Sequence, residues 1–84
     1  MDKRDRFAVN LRRAREAAGI SQEKLAEQCE LHRTEISLLE RGGREPRLGT
    51  LIKLATALGT TPGTLCAGIG WSTKAREYEI DTPS

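Results

Sequence analysis

Residues 21 to 42 read SQEKLAEQCELHRTEISLLERG and hold two short amphipathic patterns almost back to back. Ser21 is a good helix N-cap, whose hydroxyl can accept a free backbone N–H of the first turn. Glu23 follows in that turn, where the helix dipole favours negative charge. Ile20 before the cap and Leu25 at the fourth helical position form a hydrophobic staple, which fixes how the chain enters the helix. Leu25, Ala26 and Cys29 give the buried stripe of a helix over 22–29. The pattern then repeats. Leu31 and Ile36 staple a second start near His32, Glu35 stands where it can reach back to the cap, and Ile36 and Leu39 face inward. This helix ends at Arg41, before Gly42 and Gly43. Only Glu30, Leu31 and His32 connect the two, so the chain cannot return antiparallel along a long interface. The link forces a steep crossing.

The rest of the chain must supply a core for this pair. Phe7, Leu11, Ala14 and Ala18 step by four, three and four, one face of a helix over about 4–18 that Gly19 closes. GGREPR is a loop. Leu48, Leu51, Ile52, Leu54, Ala55 and Leu58 then define an apolar fourth helix, closed by Gly59. Thr61-Pro62 starts a short fifth helix with Leu65 and Cys66 inward. After Gly70, WSTKAREYEIDTPS has no helical stripe, and Tyr78 and Ile80 alternate with charges as in a short half-exposed strand. Such a strand pairs with a partner chain's copy, packs on its own domain or stays disordered; the pattern leaves all three open. The expected fold is all-α: a compact five-helix bundle with a helix-turn-helix in helices 2 and 3, followed by a short non-helical tail of β character. Residues 1–69 form the domain and 70–84 the tail.

The 84 residues suffice for one small domain. With a single Phe, Trp and Tyr, the core must come from Leu, Ile, Val and Ala. A domain this small buries only about 60% of its unfolded surface, so dimerisation is one source of added stability. The net charge of +2 is too small to argue for a nucleic-acid partner. Its distribution says more: all four basic residues of 32–49 are arginines, Arg33, Arg41, Arg44 and Arg47. No signal peptide is visible and no apolar run nears the roughly 18 residues of a membrane span, which points to a cytoplasmic protein with reduced thiols. Cys29 and Cys66 lie among apolar neighbours and read as small buried hydrophobes. Cys29 and His32 have ligand-like spacing, but a closed zinc site needs about four ligands, so no metal or cofactor is expected. One His, no clustered carboxylates and no glycine-rich loop opening a helix set enzymatic activity aside.

LRRAREAAGISQEKLAEQCELHRTEISLLERGGREPRLGTLIKLATALG, residues 11 to 59, resembles the lambda-repressor-like, Cro/CI-type (XRE) helix-turn-helix family, with SQEKLA, EISLLERG, the following Pro and TLIKLATALG in family order. The resemblance implies a regulator of transcription that binds double-stranded DNA through the third helix. A recognition helix needs one apolar face to dock it and one polar face for base edges. With Ile36 and Leu39 inward, the outward residues are Arg33, Thr34, Ser37, Leu38 and Arg41. Arg33 suits bidentate bonding to guanine, and Thr34 and Ser37 suit bases or phosphates. Leu38 is either a contact to a thymine methyl or an ordinary exposed leucine. By resemblance, Gln22 bonds a phosphate, and Arg44 and Arg47 follow the DNA backbone. Arg15 and Glu40 match the family's partly buried ion pair between helices 1 and 3.

Two residues depart from the family pattern. Glu30 stands where Gly supplies a positive φ, and His32 replaces a small hydroxyl residue, as a phosphate ligand or a partial cap. The leading reading is a sequence-specific regulator, a repressor or autoregulator, acting as a homodimer. Candidates for the dimer interface are Leu65, Ile69, Trp71, Tyr78 and Ile80; Trp71 alternatively closes the domain's own core. The segment LHRTEIS is similar to the recognition helix of restriction–modification controllers, a group alongside phage repressors and antitoxins. The competing reading is a protein-interaction module, such as an antitoxin or adaptor, whose tail binds a partner protein.

Overall fold

A computed structural model describes the chain from Met1 to Ser84. The two close patterns become α2 (Gln22–Cys29) and α3 (Arg33–Glu40), preceded by α1 (Lys3–Ala18) and followed by α4 (Leu48–Ala57) and α5 (Pro62–Leu65). The tail folds back on itself as an antiparallel hairpin of β1 (Ile69–Ser72) and β2 (Glu77–Ile80). The fold is thus five helices plus a two-stranded hairpin. No helix is long and apolar enough to cross a membrane.

Local chemistry sets most boundaries. The Ser21 hydroxyl accepts from the Lys24 N–H, and Thr61 caps α5 through the Thr64 N–H. Asp2 and Asp5 form a reciprocal capping box on α1, which lengthens that helix by one residue beyond the expected start. Gly19 ends it in the left-handed conformation at φ 70°. Phe7, Leu11, Leu25, Cys29, Ile36, Leu39, Leu54 and Leu65 join in one core cluster, with both staple partners Ile20 and Leu31 packed against it. Ala18, expected on the inner face of α1, is exposed because the helix outruns the core there; Ala8 is buried instead.

α1 is the hub. It packs against α3, α5 and both strands, while α2 packs on α3 and α4. Gly42 shows how closely α3 meets α1: at φ 73°, a Cβ there would lie 2.6 Å from the Asp5 carboxylate. The buried bond between these helices is the ion pair of Arg15 Nε with Glu40 Oε2, 2.6 Å, doubled by Nη2 to Oε1 at 3.0 Å. The Glu40 side chain is only 4% exposed.

The α2–α3 turn passes through Glu30 at φ 54°, ψ 42°, so the left-handed conformation is kept without glycine. The Leu31 N–H closes it on the Ala26 carbonyl at 2.9 Å.

Two stability measurements follow from these contacts. Removing one partner of a buried pair typically costs about 3–5 kcal/mol, so Glu40→Ala should lose that much in urea denaturation. A loss below about 1 kcal/mol, the range of exposed pairs, would contradict its burial. At Glu30, relief of about 1–2 kcal/mol of left-handed strain outweighs roughly 0.5–1 kcal/mol of added chain entropy. Glu30→Gly should therefore raise the melting temperature, and a fall would mean that the Glu30 side chain contributes more than its φ costs.

Candidate nucleic-acid interface

α3 is built to present one face. Ile36 and Leu39 are fully buried and Glu40 nearly so, which turns the opposite side outward. Arg33, Thr34 and Arg41 are exposed, and Ser37 and Leu38 are half-buried. Leu38 leans on the following loop: its Cδ2 would lie 3.3 Å from a Cβ at Gly43. Arg41 turns partly back, with Nε donating to the Ser37 carbonyl at 3.3 Å.

Two grooves flank the start of α3. One, between the beginnings of α2 and α3, is lined by Ser21, Lys24, His32 and Arg33 together with Glu23 and Glu27. The other lies between α3 and the α3–α4 loop, lined by His32, Arg44 and Arg47 together with Glu30, Glu35 and Glu45. The structure thus brings Arg33 beside the α2 N-terminus and brings Arg44 and Arg47 together on the other flank. Each basic group has acidic neighbours.

Three contacts are absent from the sequence reading, which does offer His32 as a partial cap. Gln22, at the first position of α2, donates Nε2 to Glu40 Oε1 at 3.2 Å, so it joins the buried ion pair. Arg12 Nη2 donates to the Glu40 carbonyl at 3.2 Å, a further tie from α1 to the end of α3. The hydrogen bonds from Arg15 to the Glu40 carboxylate hold the Arg15 pKa above its usual value. Glu35 does not reach back to the α3 cap; it pairs with Arg44 across the groove. The cap comes from His32, whose Nδ1 accepts from the Thr34 N–H at 3.1 Å. That bond requires a neutral ring with its proton on Nε2.

Away from α3, α1 side chains secure the root of the hairpin. Asn10 Nδ2 donates to the Leu65 and Ala67 carbonyls at 3.0 and 2.8 Å, and Arg6 Nε to Ala67 at 3.0 Å. On the hairpin's apolar face, Ile69 packs against the core and is paired with Ile80, and Trp71 is paired with Tyr78 farther out. The Trp71 and Tyr78 rings meet edge-to-face at 5.0 Å between centroids, yet both are 52% exposed. Trp71 therefore does not close the domain's own core. Leu65 is a correction: it is fully buried in its own protomer and has no surface to offer a partner. Cys29 is buried and Cys66 half-buried, and burial pushes both thiols up, away from the reactive thiolate. No three His, Cys, Asp or Glu side chains cluster as metal ligands.

Known proteins are similar to this chain in sequence and fold. Residues 11–65 match the helix-turn-helix family model HTH_3. Control protein C.SmaI of Serratia marcescens is 48% identical over 61 residues, 73% of this chain and 73% of that protein. Control protein C.BamHI of Bacillus amyloliquefaciens is 51% identical over 45 residues, 54% of this chain; the match spans just over half, 56%, of that relative. The crystal structure of the restriction-modification controller protein C.AhdI from Aeromonas hydrophila superposes with a TM-score of 0.71 at 42% identity, covering 74% of this chain and 94% of that one.

The cap geometry is open to direct test. Replacing an N-cap by Ala typically costs about 1 kcal/mol, so His32→Ala should lose about that much stability and His32→Asn should recover it. Equal stability of all three proteins would show that the imidazole does not hold α3.

Proposed function

The chain belongs to the HTH_3 helix-turn-helix family and is a DNA-binding transcription regulator, not an enzyme, and from that premise we propose how it reads its site. α3 enters the major groove, Arg33 bonds a guanine edge, and Thr34, Ser37 and Leu38 contact neighbouring bases or the adjoining backbone. Arg41, Arg44 and Arg47 run along the phosphates, and Gln22 adds a backbone contact through the amide groups that Glu40 leaves free. The observation that carries this reading is the exposed polar face of α3, braced from behind by the buried Arg15–Glu40–Gln22 cluster.

The protein acts as a homodimer on a palindrome, with half-sites about 34 Å apart. The half-exposed Trp71–Tyr78 pair, continuous with Ile69 and Ile80, supports an interface on the hairpin, since aromatic residues favour interface centres. The likeness to the controller proteins C.SmaI and C.AhdI supports a role in restriction–modification control.

On a site selected from a randomised duplex pool, Arg33→Ala should cost about 1–3 kcal/mol and relax preference at one base pair. Equal weakening at every sequence would make Arg33 a phosphate contact instead. Arg44→Ala should weaken all sequences alike and lower the salt slope by at most about one. Sedimentation should show a dimer that Trp71→Ser with Tyr78→Ser makes monomeric. A dimer in both proteins moves the interface off the hairpin, and a monomer in both favours the competing role of the hairpin as a dock for a partner protein.

A further inference from the structure

Glu35 and Arg44 form an ion pair across the groove beside α3, nine residues apart in sequence and on different elements. Glu35 sits on the recognition helix with its side chain 24% exposed, and Arg44 in the following loop with 54% exposed. We infer that Glu35 is an internal competitor for the DNA backbone: its carboxylate occupies the arginine that would otherwise neutralise a phosphate. The inference rests on the proposed reading of Arg44 as a backbone contact.

The argument is electrostatic. A guanidinium carries five donors, and Glu35 engages one arm through Nη1. The rest of the group remains open to a phosphate, but the charge that phosphate meets is already balanced. Binding to phosphates is largely counterion release, about 0.9 in salt slope per phosphate neutralised. A pre-paired arginine contributes less than that. The cost falls on every sequence alike, because phosphates carry no sequence information. Glu35 therefore lowers affinity for bulk DNA without altering the ratio between right and wrong sites, and more protein stays free to find its operator.

The decisive experiment uses the full chain and a mixed-sequence duplex of about three helical turns, titrated over a range of salt. Glu35→Gln, with Glu35→Ala as a second variant, should tighten binding about fivefold, the scale of an exposed ion pair. It should also steepen the salt slope, by part of the roughly 0.9 that one unpaired phosphate contact contributes. The gain should vanish when Arg44→Ala is already present, and selection from a randomised pool should return unchanged sites. Weaker or equal binding by Glu35→Gln, or a gain that survives Arg44→Ala, would overturn the inference. So would a changed preference at one base pair, which would make Glu35 a reader of cytosine N4. Arg44→Ala, made alone and beside Glu35→Gln, separates the two failures. If it lowers the slope while Glu35→Gln does nothing, only the competition is wrong. If it leaves the slope unchanged even beside Glu35→Gln, where the competitor is gone, Arg44 is no backbone contact and the premise fails first.

Discussion

The fold turns on one buried ion pair. Short helices such as α2 and α3 have little stability of their own, since a helix under about 12 residues is marginal in water. Ile36 and Leu39 bury α3 but are non-directional; they would tolerate some rotation of the helix about its axis. Arg15 and Glu40 remove that freedom, because two parallel bonds between a planar guanidinium and a carboxylate fix orientation as well as distance. Gln22 extends the constraint to α2 and Arg12 repeats it on the Glu40 carbonyl. Three helices thus converge on a single carboxylate. Its desolvation is offset by the number and geometry of its partners, and the outcome is a defined direction for the exposed face of α3.

How much of this was legible in the sequence depends on the range of the interaction. Caps and staples act within five residues, so Ser21, Thr61, Ile20–Leu25 and Leu31–Ile36 set helix limits that the structure reproduces. The outward placement of Arg33 and Thr34 follows from the same helical period. The capping box at Asp2 and Asp5 is equally local but lies before the apolar stripe that draws attention to α1. The first strand escapes for a different reason. IGWS is short, contains glycine and does not alternate, so only its pairing with EYEI makes it a strand. Pairings that depend on where a loop travels are not local at all: Glu35 with Arg44, and Gln22 with Glu40, require the folded path between them. Leu65 shows the opposite error. A leucine near the end of the last helix looks available to a partner until α1 and α4 close over it.

Charge is distributed with similar economy. The net value of +2 hides a surface on which both grooves beside α3 mix arginine or lysine with glutamate. Such a surface has a weaker long-range attraction for nucleic acid than a uniformly basic one. In the proposed complex, discrimination then rests more on the few side chains assigned to base edges than on total charge.

The contacts of α1 have a geometric consequence for the assembly. The same helix holds the hairpin root, through Arg6 and Asn10, and the end of α3, through Arg15. Nine residues separate Arg6 from Arg15, about 13.5 Å of helical rise. In the proposed dimer, one end of this rod is tied to the symmetry axis and the other to the reading head. α1 would then act as a ruler, its stiffness setting the distance between the two copies of α3.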